Sequence, residues 1–211
     1  MPHINLQLAL DVGESSQLVE IAERTRPYVD WIEAGTPWIL SQGMACVRLL
    51  RERFPEKRII ADMKIVDGGE FEARLGFTAG ADLVTALSCA SPATLAGVSR
   101  AARECGGQMM VDVINESDLE AAARRAHELG ADYICVHTAF DDQAFGKNPL
   151  DDLRRLTGLV RTPLVVAGGL NLENLAQVAG YTPATVVVGS ALCSAVDPAA
   201  TAKRMRELLD G

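Results

Sequence analysis

The sequence predicts an α/β fold, a single-domain (β/α)8 TIM barrel over residues 1–211, and three observations carry that prediction. Short apolar runs rich in Val and Ile alternate with longer stretches of helical spacing from one end of the chain to the other. The runs number eight, and 211 residues shared among eight strand–helix units give about 26 residues each, the arithmetic of a compact barrel. Runs such as Ile59-Ile60-Ala61 and Val186-Val187-Val188 are apolar on both faces, as a parallel sheet covered by helices requires.

The elements follow in order. Strands are expected at Asn5 to Leu10, Asp30 to Glu33, Arg58 to Met63, Leu83 to Ala86, Gln108 to Val113, Tyr133 to His137, Pro163 to Ala167 and Thr185 to Val188. Between them, Leu95, Val98, Ala102 and Cys105 fall on one helical face, as do Leu119, Ala122, Ala123 and Ala126, and later Ala202, Met205 and Leu209. Eight helices are expected. A faint echo recurring fifty residues apart links Ala79-Gly80-Ala81-Asp82, Leu129-Gly130-Ala131-Asp132 and Ala179-Gly180-Tyr181, each glycine ending a helix before the next strand. A doubly wound open sheet is the alternative, but Asp11-Val12-Gly13-Glu14 stands where its G-x-G-x-x-G turn would be.

Composition narrows the function classes. With 48% hydrophobic and 23% charged residues the chain can bury a large core without disulfide staples. A net charge of −8 opposes binding to a polyanion, so no nucleic-acid partner is expected. No 18-residue apolar run exists to span a bilayer, and Met1-Pro2-His3-Ile4-Asn5 lacks the pattern of a signal peptide, so the expected setting is cytoplasmic, without a membrane partner. The five cysteines include no C-x-x-C pair and read as neither a disulfide framework nor a zinc site. Most read as core fillers, with Cys89 in a loop. Trp31 and Trp38 read as packing residues.

Barrel chemistry sits where the strands end, and those positions are unusually polar here. Asp11 ends the first strand, Glu33 the second, Asp62 and Lys64 the third, Asp112 the fifth and His137 the sixth; Gly168-Gly169 and Gly189-Ser190 follow the seventh and eighth. Any one strand-end Asp is as well explained as a turn or cap residue, and for Asp112, close to Ser117 and Asp118, that reading is the first to consider. Several ionisable groups on one rim are costly unless a cation or substrate uses them.

Asp62 and Lys64, two apart on a strand, point the same way, and Asp67 begins the loop beyond them. Lys64 is thus expected between two carboxylates, which favours its ammonium form and argues against a Schiff-base mechanism. A charged Lys64 suits hydrogen bonding to a developing oxyanion. Glu33 and Asp62 offer hard oxygen ligands from adjacent strands, a set that describes Mg²⁺ better than zinc. The paired glycines stand where many barrels hold a phosphate on backbone N–H groups, and of three histidines only His137 ends a strand.

Leu8-Ala9-Leu10-Asp11, Ile32-Glu33-Ala34-Gly35-Thr36-Pro37, Ala61-Asp62-Met63-Lys64-Ile65-Val66-Asp67-Gly68-Gly69-Glu70, Gly80-Ala81-Asp82 and Val166-Ala167-Gly168-Gly169 together resemble the orotidine 5′-monophosphate decarboxylase suprafamily. Within it the pattern is similar to the branch that contains 3-hexulose-6-phosphate synthases and 3-keto-L-gulonate-6-phosphate decarboxylases. The resemblance implies a Mg²⁺-dependent homodimer that forms a cis-enediolate of a sugar phosphate at interfacial sites. It implies that Glu33 and Asp62 hold the metal and that Lys64 stabilises the enediolate oxygen. It further implies that Asp11 contacts substrate hydroxyls, that Asp67 reaches the partner's site, and that Gly168, Gly169, Gly189 and Ser190 hold the phosphate. Asp112 joins the substrate-binding set, and His137 would carry the proton. Decarboxylating members place an arginine three residues beyond this histidine. Here His137-Thr138-Ala139-Phe140-Asp141-Asp142-Gln143-Ala144 looks more like the members that add formaldehyde to D-ribulose 5-phosphate. Decarboxylation of 3-keto-L-gulonate 6-phosphate and non-catalytic sugar-phosphate binding remain the alternatives.

Overall fold

The computed structural model describes residues 3–211. Eight parallel strands, β1 (Asn5–Leu10), β2 (Trp31–Ala34), β3 (Arg58–Ile65), β4 (Leu83–Leu87), β5 (Gln108–Asp112), β6 (Tyr133–His137), β7 (Leu164–Ala167) and β8 (Thr185–Val188), pair in sequence order. The barrel closes where Asn5 of β1 registers with Thr185 of β8. The expected strands are all present, with shifts at their ends. β7 begins one residue late because Pro163 has no N–H to give the ladder, and β3 runs two residues past Met63.

The described residues hold eleven helices rather than eight, because three connections carry two each. The outer layer comprises α1 (Ser15–Thr25), α2 (Thr36–Gln42), α3 (Ala45–Arg53), α4 (Gly69–Thr78), α5 (Pro92–Cys105), α6 (Leu119–Glu128), α7 (Phe140–Gln143), α8 (Leu150–Leu156), α9 (Leu175–Ala179), α10 (Ser190–Cys193) and α11 (Pro198–Asp210). Local chemistry sets several starts. Ser91 accepts from the Thr94 amide ahead of Pro92, Asp118 accepts from Ala121, and Asp197 accepts from Ala199 and Ala200 ahead of Pro198. No helix among the described residues is long and apolar enough to cross a membrane.

The fifty-residue echo has a structural cause at the N-terminal rim. Asp30, Asp82 and Asp132 each precede an even-numbered strand and clamp the strand before it. Their carboxylates accept from the amides of Leu6 (2.8 Å), Ile59 (2.7 Å) and Met109 (2.8 Å), while their own amides donate to the carbonyls of the same three residues. Each clamp joins two strands through a charge-assisted bond, so the natural period is two barrel units. The third member of the echo departs from this pattern. Gly180 is right-handed, Thr182 takes the positive φ of +50°, and Ala184 keeps only the backbone half of the clamp.

Alternation along the strands sorts side chains between two layers. Leu6, Leu8, Leu10, Ile32 and Ile59 face the helices in the main core. Ala9, Ile60, Met110, Cys135, Val165 and Val187 fill the barrel interior. Its floor is aromatic: the Arg58 guanidinium lies 4.6 Å from the Trp31 ring centre and 5.6 Å from that of Tyr133, and the two rings meet edge to face at 5.4 Å. Each cation–π contact is worth about 0.5–2 kcal/mol. Trp38 is also buried, its Nε1 donating to Ser15 Oγ at 3.0 Å, so both tryptophans serve packing.

One irregularity shapes the site. Ala61 registers with Val84, but the next pair is Ile65 with Ala86, so Asp62, Met63 and Lys64 of β3 together oppose the single residue Thr85 of β4. Lys64 sits at φ +48°, a left-handed conformation costly for a side-chain-bearing residue. This bulge falls at the C-terminal end of the strand, where such features re-aim side chains.

Candidate active site

The bulge brings Asp62 and Lys64 into contact, Lys64 Nζ donating to Asp62 Oδ2 at 2.5 Å. Two hydroxyls fix the carboxylate further. Thr85 Oγ1 donates to Asp62 Oδ1 at 2.7 Å, and Thr36 Oγ1, at the start of α2, lies 2.7 Å from Oδ2. Thr85 also accepts the Lys64 amide at 2.9 Å, giving the bulged N–H a partner. Burial by itself would raise the Asp62 pKa, but Lys64 and the two threonines outweigh it and hold the carboxyl below its ordinary value. Burial would likewise depress Lys64, yet the charges of Asp62 and Asp112 overcome it and keep the ammonium above its usual range.

The second carboxylate beside Lys64 is therefore Asp112, 3.8 Å from Nζ, and not Asp67. Asp67 is exposed and accepts from the amide of Gly68 in its own loop. Asp112 is buried at the end of β5. Its Oδ1 accepts from the Ile114 amide at 2.9 Å, and its Oδ2 lies 2.8 Å from His137 Nδ1. The helix-capping role that position invited belongs to Asp118 instead. With Nδ1–H donated to a carboxylate, His137 presents Nε2 to the barrel mouth, an arrangement suited to moving a proton.

Glu33 lies inside β2, and the side-chain amide of Gln7 donates to its Oε2. Burial, then the nearby charges of Asp62 and Asp11, push the Glu33 pKa well up. Asp11 is raised by burial and by Asp62 in the same way. Its carboxylate sits between two glycines: a Cβ at Gly35 would collide with it, and one at Gly189 would press on it. The mouth thus gathers Asp11, Glu33, Asp62 and Asp112 around one ammonium, a donor set that favours a cation.

The opposite side of the mouth carries the glycines. Gly168 and Gly169 follow β7 at φ +92° and +70°, and a Cβ on Gly168 would strike the Thr138 carbonyl. Gly189 and Ser190 lead into α10. Beside His137, a cleft of about 410 Å³ is walled by Asn115, Phe145 and Lys147. His127 is exposed on α6 and bonds Thr162, away from this mouth. Gln7, Thr36, Thr85 and Cys135 are the site neighbours that sequence reasoning missed. Thr85 was detectable as the lone polar residue of β4, and Gln7 as a polar residue at an inward position of β1.

The pattern of the orotidine 5′-phosphate decarboxylase / HUMPS family matches residues 4–205. The chain belongs to this family. A 3-hexulose-6-phosphate synthase of Bacillus subtilis is 37% identical over 207 residues, covering 98% of this chain and 99% of that one. The crystal structure of a 3-hexulose-6-phosphate synthase from Salmonella typhimurium superposes with a TM-score of 0.95 at 40% identity, covering 98% of both chains. A ligand-bound KGPDC from Streptococcus mutans superposes at 0.92 with 27% identity, covering 98% of this chain and 97% of that one. These likenesses extend over the whole barrel, so the family's shared architecture is present from end to end.

Proposed function

We propose that the chain is a 3-hexulose-6-phosphate synthase, an aldehyde-lyase joining formaldehyde and D-ribulose 5-phosphate into D-arabino-hex-3-ulose 6-phosphate. End-to-end likeness to synthases at 37–40% identity carries this reading. Phe140 supports it, standing three residues beyond His137 where the decarboxylating branch has an arginine.

Glu33 and Asp62 fit a divalent cation. They are buried oxygen donors on adjacent strands, and like-charged neighbours that raise Glu33 disfavour two carboxylates sharing this space without a cation. Mg²⁺ is the ion this hard donor set suits, and when bound it would supply positive charge for the substrate oxygens.

The chain's own residues perform the proton and charge work. His137 Nε2 takes a proton from C1 of the ketose phosphate, with Asp112 holding Nδ1–H and stabilising the imidazolium. The pair left on C1 makes the enediolate, whose oxygen accepts a hydrogen bond from the Lys64 ammonium. C1 then bonds to the formaldehyde carbon as its C=O π pair moves to oxygen, and His137 returns the proton to that alkoxide. Asp11 meets substrate hydroxyls, and the amides around Gly168, Gly169, Gly189 and Ser190 hold the phosphate.

The working unit in this reading is a cytoplasmic homodimer. Val66, Phe71 and Leu75, close to Asp67 in sequence, are exposed apolar residues, which supports a second copy covering this segment. The functional assay compares Mg²⁺-loaded protein on ribulose 5-phosphate plus formaldehyde with 3-keto-L-gulonate 6-phosphate alone, each with an EDTA control. EDTA-sensitive formaldehyde consumption should dominate; dominant CO₂ release would reassign the chain to the decarboxylases.

A further inference from the structure

Beneath the proton-carrying pair lies a cysteine that the mechanism does not use. Cys135 is two residues before His137 on β6, so both side chains point into the barrel, and it registers directly with Asp112 on β5. A carboxylate oxygen of Asp112, Cys135 Sγ and a ring nitrogen of His137 all lie within 4.8 Å of one another. Among the described residues no other trio of His, Cys, Asp and Glu groups meets that test.

We propose that Asp112, Cys135 and His137 form a binding site for a thiophilic divalent ion of the Zn²⁺ class, separate from the all-oxygen pair Glu33 and Asp62, and that its occupation switches the enzyme off. One sulfur, one imidazole and one carboxylate make the three-ligand set on which zinc leaves its fourth position open. Metal–ligand bonds of about 2.0–2.3 Å bring the three groups onto one ion after small side-chain rotations. Mg²⁺ does not compete here, because it takes oxygen ligands and disfavours thiolate.

The surroundings agree with this assignment. Cys135 is buried among apolar residues and negative carboxylates, which keep it a neutral thiol while no cation is present. The same carboxylates favour a thiolate once it is paired with a dication. Lys64, 3.8 Å from Asp112, is the one opposing charge, and Asp62 already engages it. Entry is from the mouth, where the His137 side chain remains 21% exposed. Binding releases the Cys135 thiol proton to solvent, while the neutral imidazole of His137 moves its single N–H proton from Nδ1 to Nε2 so that Nδ1 can take the ion. The Asp112–His137 hydrogen bond is replaced by two metal bonds, leaving the imidazole unable to cycle a proton. This switching effect rests on the proposed role of His137; binding does not.

The test adds Co²⁺, as a spectroscopic stand-in for Zn²⁺, to the full chain in excess Mg²⁺ without substrate. A thiolate-to-cobalt charge-transfer band should appear, saturating at one ion per chain, and should be absent in both Cys135→Ser and Cys135→Ala. Zn²⁺ should abolish turnover in the unsubstituted protein. Either variant, still active without zinc, should need about 100-fold more of it, the upper end of what losing even a supporting partner of a site costs. No band, or one that survives in both variants, overturns the site. A Cys135-dependent band with turnover intact would uphold the site and instead contradict the role given to His137.

Discussion

Thr85 stands between the backbone of Lys64 and the carboxylate of Asp62, accepting from the first at 2.9 Å and donating to the second at 2.7 Å. One buried hydroxyl therefore ties the strained bulge that carries the lysine to the group that charges it. Thr85→Val keeps the shape and removes the hydroxyl, leaving the Lys64 N–H without its partner. We expect turnover to fall about 10- to 100-fold, the range seen when supporting hydrogen bonds around a metal ligand are lost. Stability should drop by about 1–3 kcal/mol. Thr85→Ser should restore most of both, as read by steady-state kinetics and thermal unfolding. A Val variant with unchanged turnover would show that the bulge holds its geometry unaided.

Lys64→Ala should abolish turnover while sugar-phosphate affinity, measured by calorimetry, survives within an order of magnitude. The raised pKa keeps Lys64 an ammonium through and beyond neutral pH, so the pH–rate profile should lack a falling lysine limb below about pH 10. Retained turnover would remove the lysine from the chemistry and leave stabilisation of the enediolate to another group.

Asp67 accepts from the amide of its own neighbour Gly68, and the ion-pair partners of Lys64 are Asp62 and Asp112 instead. If it completes the partner's site, Asp67→Ala and Lys64→Ala will each be inactive alone. Mixing them under conditions that permit subunit exchange should restore activity, since a mixed dimer has one site with both residues intact. Phe71→Arg should shift the protein to monomers in sedimentation and lower turnover. Failure of the mixture to recover, with mixed dimers confirmed by mass, would place Asp67 outside the site.

The five thiols divide by environment. Cys89 and Cys105 are exposed, whereas Cys46 and Cys135 are buried. Cys193 is pushed up to about 12 by burial and by Asp11. A raised thiol pKa means the neutral, unreactive form persists at pH 8, so native alkylation there should label Cys89 and Cys105 alone. Peptide mapping checks this, and rapid labelling of Cys193 would contradict the packing of α10 against β1.

Much of this was legible from spacing. The eight strands announced themselves by alternation, and the Asp62–Lys64 pair by a two-residue step on one of them. Asp67 was misread as the lysine's second neighbour because local spacing cannot see Asp112, which arrives from a strand 48 positions later in the barrel. The bulge at Lys64 left no composition signal, since neither glycine nor proline marks it. Thr85 is the lone polar residue of β4 and Gln7 an inward polar residue of β1, and only the pairing of neighbouring strands brings them to Asp62 and Glu33. The zinc-type trio was invisible for the same reason: its thiol is two residues from the histidine, while its carboxylate is on the neighbouring strand.

The account turns on His137, oriented by Asp112, moving the C1 proton of a bound ketose phosphate. The most direct measurement follows deuterium entering C1 of ribulose 5-phosphate in D₂O with Mg²⁺ and no formaldehyde, by NMR. The unsubstituted protein should exchange C1 stereospecifically, and Asp112→Asn, which mis-sets the imidazole tautomer, should slow exchange by about 10²- to 10⁴-fold, the weight of general acid–base catalysis. Exchange undiminished in Asp112→Asn and in His137→Ala would contradict the account, because some other group would then be removing the proton.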